Sequence, residues 1–156
     1  MNWKYHIAII TAKAQNCRHF LQRNLTTCNK ETKLQCYKSL VRPIIEYATT
    51  VWDPVNNNKL KNQLEMVQRK SARWICNKWQ YSESPTLMIK ELNLKTLEQR
   101  RKINQLAMLY ELYHGQKYMP PNTISRQRCN DLRFKPIYGI IQSYTYSFYP
   151  DTIRVE

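Results

Sequence analysis

The scarcity of glycine is the feature that most restricts how this chain can fold. Only two glycines, Gly115 and Gly139, occur among its 156 residues. The tight turns of sheet-rich folds and the loops that wrap around phosphates both use glycine, because it adopts positive backbone φ angles without a steric penalty. The composition therefore argues against a turn-dense β-sandwich and against a Gly-rich phosphate loop, and it favours helices.

The amino-terminal third carries apolar residues at the three- and four-residue spacing of an amphipathic helix. This spacing predicts a first helix over residues 6–22. Asn29 offers a side-chain oxygen that can cap a second helix, which then reaches Pro43. Proline lacks an N–H donor and disfavours helical angles in the residue before it, so we expect Arg42 to leave the helical conformation and the helix to kink or break. The apolar periodicity resumes over residues 44–52.

Further helices are expected in the middle of the chain. Residues 59–79 give the clearest amphipathic pattern, with an apolar stripe opposite a cationic one. A serine-proline pair at residues 84–85 has the N-cap and first-position proline typical of a helix start. Thr96 and Gln99 have the spacing of a capping box, which predicts a long helix that continues to residue 114 and is ended by the glycine that follows.

The predicted fold is mainly α, a small bundle of about five helices. The pattern changes towards the carboxyl end, where Tyr144, Tyr146 and Phe148 alternate with polar residues as they would in a strand. We expect residues 1–118 to form a helical region. Residues 119–156 are expected to form an irregular, tyrosine-rich extension that holds at most a short strand or hairpin.

Lysine and arginine number 25 against 11 aspartate and glutamate residues, which gives a net charge of +14. An excess of this size indicates a polyanionic partner. A membrane surface and a nucleic acid both attract basic residues, but the apolar stripe of residues 59–79 looks sized for a protein core, so we expect no membrane association. Trp74, Trp79 and Tyr81 lie close to the cations, and this combination of basic and aromatic residues favours nucleic acid.

The basic helix faces are interpreted as sites that bind the phosphates of RNA, DNA or an RNA–DNA hybrid, with little sequence discrimination. For any single cation, a solvated helix face is the simpler interpretation. The set as a whole favours binding, because few glutamates balance it at four-residue spacing. The predicted nucleic-acid-binding residues are Arg18, Arg23, Arg42, Lys59, Arg69, Lys70, Arg73, Lys78, Arg100, Arg101 and Lys102.

The acidic residues do not suggest an active site. Two-metal polymerase or nuclease chemistry needs carboxylates that converge on ions about 4 Å apart. Asp53, Asp131 and Asp151 are the only aspartates and are widely separated, so we assign them loop and cap roles. The three histidines have no Asp, Ser or Cys partner at motif spacing, and no CxxC pair occurs among the five cysteines. We therefore predict no catalytic residue, no metal site and no cofactor.

The cysteines and the amino terminus bear on location. An odd number of scattered cysteines fits a reducing compartment better than a disulfide framework. The apolar patch near the amino terminus is too short for a signal peptide or a spanning helix. We expect an intracellular protein, nuclear or cytoplasmic, that is not secreted.

Four segments have a distinctive order and spacing. The motif YxSLVRPxxEYAxxVWDP occupies residues 37–54, and LExVQRKxAR occupies residues 64–73. LExRR follows at residues 97–101, and SYxYSFYPxTIR occupies residues 143–154. Together these segments resemble the region after the catalytic palm, the thumb and the segment beyond it, in LINE-type, jockey-like non-LTR retrotransposon reverse transcriptases. The resemblance covers nearly all of the chain.

The resemblance implies part of an RNA-directed DNA polymerase, the part that holds the primer–template duplex. The family's palm, with its paired catalytic aspartates, and its endonuclease are expected upstream of Trp3, so we expect no polymerase activity from this segment alone and a palm domain as a further partner. Arg18-His19 departs from the family, in which a Leu-Gly pair is common at that place. The residues that match family motifs are Arg42, Glu46, Trp52, Asp53, Gln68, Arg69, Arg73, Arg100 and Arg101.

A different class of function remains open. The predicted helix over residues 96–114 has apolar residues on more than one side, which a segment built to pack on another domain would expose when isolated. The alternative is therefore a helical protein-interaction module, or an inert retrotransposon-derived remnant, that does not bind nucleic acid.

Overall fold

The computed structural model describes residues 3–54, 57–80, 83–113, 124–126 and 132–134. Within these ranges the protein is mainly α-helical, which confirms the predicted fold class. The helical elements are α1 (Trp3–Asn24), α2 (Lys30–Cys36), a π-helical turn (Tyr37–Val41), α3 (Arg42–Glu46), α4 (Thr49–Trp52), α5 (Asn58–Cys76), α6 (Pro85–Glu91) and α7 (Leu97–Tyr113).

Helix α1 confirms the first predicted helix and is a few residues longer at each end. Its buried apolar residues, Ile7, Ile10, Ala14 and Leu21, recur at three-, four- and seven-residue steps and form one stripe. At its carboxyl end the side-chain amide of Asn24 donates to the carbonyl of Phe20 at 2.8 Å. Helix α1 packs against α5, the π-helical turn and α3.

The expected disturbance at Pro43 takes a different form from the predicted break. The side-chain oxygen of Asn29 accepts the Thr32 N–H at 2.9 Å, so the predicted cap of α2 is confirmed. Arg42 keeps helical angles, with φ −61° and ψ −42°, and the prediction that it leaves the helix was wrong. Its N–H donates to the carbonyl of Tyr37, five residues earlier. This wider π-type turn makes room for the proline ring, so the chain continues into α3 without a break.

The apolar periodicity over residues 44–52 is interrupted at Tyr47 and Ala48. Tyr47 has an extended ψ of 126°, and Ala48 has a left-handed φ of 51°. A left-handed alanine costs roughly 1–2 kcal/mol, which the surrounding structure must offset. The interruption separates α3 from α4, in which Trp52 is buried.

Helix α5 begins where the amphipathic pattern predicts it and ends earlier. The side-chain oxygen of Asn57 accepts the Leu60 N–H at 3.2 Å and caps the helix. Asn77 has a left-handed φ of 52°, and its N–H bonds to the carbonyls of Arg73 and Trp74. The sequence pattern predicts a helix that continues to residue 79. Because the left-handed Asn77 closes the helix, α5 ends at Cys76 instead.

The starts of α6 and α7 follow the predicted capping pattern in part. Pro85 is the first residue of α6, but the side chain of Ser84 makes no capping hydrogen bond. At α7, Thr96 Oγ1 accepts the Gln99 N–H at 3.2 Å, and Gln99 Oε1 accepts the Thr96 N–H at 3.4 Å. The predicted capping box is therefore confirmed. The predicted end of this helix, at residues 114–115, lies outside the described residues.

Two short strands, β1 (Ile124–Arg126) and β2 (Leu132–Phe134), pair antiparallel with Ile124 opposite Phe134. They lie in the segment for which at most a short strand or hairpin is predicted. The alternating aromatic residues at 144–148 and the predicted domain boundary between residues 118 and 119 lie outside the described residues.

The chain divides into two compact units. The first unit comprises Asn2–Ala48 and Pro54–Arg100, and the second comprises Thr49–Asp53 and the chain from Arg101 onward. In the second unit Trp52, Arg101 and Gln105 are buried. The apolar core of the first unit consists of Ile7, Ile10, Ala14, Leu21, Tyr37, Val41, Ile45, Leu64, Val67, Ala72, Trp74, Ile75, Met88, Ile89, Leu92 and Leu97.

Candidate nucleic-acid interface

The outer face of α5 carries four cations, Lys59, Arg69, Lys70 and Arg73, which we call the basic face. Positions 59, 70 and 73 fall on one side of an α-helix, and position 69 lies beside them. Lys59, Arg69 and Lys70 are exposed, whereas Arg73 is half-buried. Lys59, Arg69 and Lys70 form no ion pair with a carboxylate in the described ranges.

The acidic residue of α5 is engaged with the start of α7. Glu65 is the only carboxylate in the helix sequence, and its Oε1 accepts the backbone N–H of Glu98 at 3.0 Å. A carboxylate at this position stabilises the amino terminus of α7, where unpaired N–H groups carry partial positive charge. Glu65 is thereby used in the contact with α7, and Lys59, Arg69 and Lys70 have no ion pair with it.

The carboxyl-terminal part of α1 adds to the positive potential beside Lys70. Arg23 and His19 are exposed there, and Lys70, Arg18 and Arg23 all act electrostatically on His19. Desolvation and then these cations, Arg18 first, lower the pKa of His19 below its ordinary value. The structure thus brings the end of α1 and the basic face of α5 together.

Arg18 itself is buried and plays a local structural role. Its Nη1 donates to Gln22 Oε1 at 3.0 Å, one helical turn along α1, and its Nη2 contacts His19 Nε2. Burial lowers the pKa of this guanidinium, although it stays charged at any physiological pH. A buried Arg18 does not reach an external phosphate directly in this conformation.

The adjacent arginines of α7 are engaged in ion pairs within the fold. Arg100 forms a two-pronged interaction with Glu46, with Nη2 2.9 Å from Oε2 and Nε bonded to Oε1. The hydrogen bond to Glu46 raises the pKa of Arg100. Arg101 is buried, and its Nε donates to Asp53 Oδ1 at 2.8 Å. Both guanidinium groups therefore hold the fold together, and we do not place them on the proposed surface.

The other predicted cations occupy separate places. Arg42 is half-buried, and its Nε lies 3.8 Å from Glu46 Oε1. Lys78 follows α5, and its Nζ lies 3.2 Å from Glu83 Oε1 in an exposed ion pair. Exposed pairs of this kind contribute little to stability and can exchange their partner for a phosphate. Lys102 is exposed on α7, in the second unit.

The aromatic residues near the cations divide between core and surface. Trp74 is 3% exposed and belongs to the core of the first unit. Trp79 is 53% exposed and follows the end of α5, so its indole ring can stack on a base. Tyr81 lies outside the described residues.

Sequence reasoning missed two positions that the structure brings to notice. Lys90 of α6 and Arg69 of the basic face line one open cleft of about 540 Å³ between α5, α6 and the start of α7. Lys33 is buried, and its Nζ donates to Asn77 Oδ1 at 3.0 Å. The pattern of α2 gives no sign of this burial, because the partner of Lys33 lies 44 residues later in the chain.

The described residues give no sign of a metal site or a membrane span. Among them, no three His, Cys, Asp or Glu side chains lie close enough to hold a metal ion. No helix in the described ranges combines the length and apolar character needed to cross a membrane. Cys17 and Cys76 are free, and burial raises the pKa of each thiol, so both are protonated at neutral pH.

Comparisons of the chain with known protein families, with functionally characterised proteins and with solved structures yield no match.

Proposed function

We propose that this chain grips nucleic acid through its phosphate groups, as expected of the reverse-transcriptase segment that it resembles. The observation that carries the proposal is the unbalanced basic face of α5. Lys59, Arg69 and Lys70 are exposed, and the carboxylate of their own helix is turned into the contact with α7. Cations without a protein partner gain most from a phosphate, because binding releases the counterions condensed on the nucleic acid.

The length of the basic face suits a nucleic-acid strand. From Lys59 to Arg73 the helix rises by about 1.5 Å per residue, which gives roughly 21 Å. One strand of a duplex advances by about 3.4 Å per phosphate, so the face can run beside roughly six phosphates. Contacts to phosphates carry no direct sequence information, and we expect RNA, DNA and RNA–DNA hybrid to bind with little sequence preference.

Duplex binding and polymerisation are assigned to different parts of the polymerase. The chain holds the duplex, and the carboxylates of a palm domain perform polymerisation, so we expect no catalysis by the described residues alone. RNA and DNA are present inside the cell, and we expect the protein to act in the nucleus or the cytoplasm.

A pair of triple variants tests the use of the basic face. Replacing Lys59, Arg69 and Lys70 by alanine is expected to reduce the slope of log affinity against log salt by roughly two to three, since each lost contact removes about 0.7–0.9. The control replaces the exposed lysines Lys4, Lys13 and Lys95 by alanine, which changes the net charge equally. Equal slopes in the two triple variants would show that net charge alone, and not this face, drives binding.

A second candidate function is a helical protein-interaction module. Ile103, Leu106 and Tyr110 of α7 are 46%, 55% and 62% exposed, at three- and four-residue steps on one side of the helix. Exposed apolar stripes commonly mark surfaces that pack on another protein. Sedimentation velocity separates the two candidates: self-association that Leu106→Lys abolishes, without affinity for an RNA–DNA hybrid, favours the module.

A further inference from the structure

The contact between Arg18 and His19 fixes the protonation state of the imidazole. A guanidinium group has N–H donors and no acceptor, so the Nη2 of Arg18 can only donate to His19 Nε2. The accepting Nε2 must lack a proton, which makes His19 neutral and places its hydrogen on Nδ1. A neutral imidazole in this tautomer still offers one donor, Nδ1–H, to a ligand.

The surroundings of His19 favour an anion. The charged groups that act on it are Arg18 and Arg23 from its own helix and Lys70 from α5, and all three are positive. Arg18 is bonded to Gln22 and to His19, whereas Arg23 and Lys70 are exposed and form no ion pair within the described part of the chain. His19, Gln22, Arg23 and Thr26 line a shallow depression at this point. An imidazole donor, the exposed cation of Arg23 and polar side chains therefore meet at one surface position, and Lys70 is near enough to act on the imidazole electrostatically.

We propose that His19, Arg23 and Lys70 form a phosphate-binding subsite in which the Nδ1–H of His19 donates to a backbone phosphate and Arg18 positions the ring. The subsite rests on the proposed function, because its ligand is a phosphate of the bound nucleic acid. Acidification strengthens binding there. Protonated His19 adds a positive charge against the phosphate, although it gives up the hydrogen bond from Arg18.

The direction of the pH effect follows from the charges. In the free protein, desolvation and three cations lower the pKa of His19, so the ring is neutral near pH 7. A bound phosphate offsets these cations and raises the pKa of His19 in the complex. The affinity is therefore greatest below the pKa of the free protein and falls as the pH rises through the pKa of the complex. A difference of about one unit between the two pKa values corresponds to a tenfold change in affinity.

The experiment measures binding of a fluorescent RNA–DNA hybrid by anisotropy at about pH 8 and about pH 5.5, on either side of the ordinary pKa of histidine. The wild type is expected to bind more tightly at the lower pH, by up to about tenfold, with a steeper salt slope because a charged contact is added. His19→Ala is expected to lose both effects. Asn16→Ala, an exposed neutral change on α1, is the control and keeps them.

Two conservative variants test the donor atom at pH 8, where the ring is neutral. The amide nitrogen of His19→Asn lies near the position of Nδ1, whereas that of His19→Gln reaches towards Nε2. We expect His19→Asn to retain more affinity than His19→Gln and His19→Ala, and equal affinities for all three would overturn the assigned donor.

Three outcomes are decisive for the subsite. Salt-dependent binding whose pH response is unchanged in His19→Ala overturns the subsite and leaves the proposed function standing. Absence of binding at both pH values overturns both. Loss of the pH response in His19→Ala, with circular dichroism matching the wild type, supports the subsite.

Discussion

Arg101 is 1% exposed, and its Nε donates to Asp53 Oδ1 across 2.8 Å, while Gln105 Nε2 lies 3.2 Å from the other carboxylate oxygen. The partners are 48 residues apart in the chain, and both belong to the second unit. Arg100, the preceding residue, is paired with Glu46 in the first unit. The two adjacent arginines therefore each fasten α7 to an earlier part of the chain, and their charges are neutralised inside the fold.

Breaking the Asp53–Arg101 pair is expected to destabilise the protein strongly. Asp53→Ala leaves a buried guanidinium without its carboxylate, and loss of one partner of a buried pair costs about 3–5 kcal/mol. Urea denaturation followed by circular dichroism measures the change. Lys102→Ala, an exposed neighbour, is the control and should change stability by less than about 0.5 kcal/mol. A loss below about 1 kcal/mol for Asp53→Ala would contradict the structural role of the pair.

Substitutions of two arginines should separate a structural role from a binding role. Arg69→Ala removes an exposed cation of the basic face and is expected to lower the salt slope of nucleic-acid binding by about 0.7–0.9 with little loss of stability. Arg100→Ala is expected to lower the free energy of unfolding by roughly 1–3 kcal/mol and to leave the salt slope unchanged, because its guanidinium is bound to Glu46. A loss of stability in Arg69→Ala together with a reduced salt slope in Arg100→Ala would contradict the assignment of Arg69 to binding and of Arg100 to stability.

Much of the helical framework can be predicted from local sequence, because its determinants are local. Asn29, Asn57 and the Thr96–Gln99 pair cap helices through groups three residues away, and a short window of sequence contains both partners. Pro43 signals a disturbance in the sequence, but the pattern does not distinguish a π-helical turn from a break, and it gives no sign of the left-handed Ala48.

Contacts between residues far apart in the sequence also limit the prediction of the candidate nucleic-acid interface. The charge run of residues 100–102 looks like a solvated basic face, yet Arg100 and Arg101 are neutralised by carboxylates 54 and 48 residues earlier. Only tertiary structure reveals those partners. The cations at 69 and 70 could be placed on an outer face from helical spacing alone, since they lie opposite the apolar stripe of α5.

The carboxyl end of α5 should be sensitive to substitution at Asn77. Its left-handed φ of 52° disfavours alanine, and its side chain accepts a hydrogen bond from the buried Lys33. Asn77→Ala is expected to cost about 2–3 kcal/mol, as the strain of a left-handed alanine adds to the lost hydrogen bond. Asn77→Gly also loses the hydrogen bond from Lys33 but adopts the left-handed φ without strain, so it should cost roughly 1 kcal/mol. Equal losses of stability for Asn77→Ala and Asn77→Gly in urea or thermal unfolding would show that strain at this position makes no contribution.

Stability at alkaline pH should depend on Tyr37. Burial raises the pKa of this phenol above its ordinary value near 10, and the hydroxyl donates to Gln68 Oε1 at 3.4 Å. The unfolded chain ionises first, so the stability contribution of Tyr37 is fully present below pH 10 and is lost as the pH rises towards the folded pKa. Tyr37→Phe should flatten the fall in unfolding free energy between about pH 10 and pH 12, and an unchanged profile would contradict the prediction.

The most direct test of the account is a salt titration of the unmodified protein with a fluorescent RNA–DNA hybrid, followed by anisotropy. The proposed function assigns about four phosphate contacts to the exposed cations Lys59, Arg69, Lys70 and Arg23. The account predicts binding at low salt and a decrease of log affinity with log salt at a slope of roughly −3 to −4. No binding at low salt, or an affinity that does not change with salt, would contradict it.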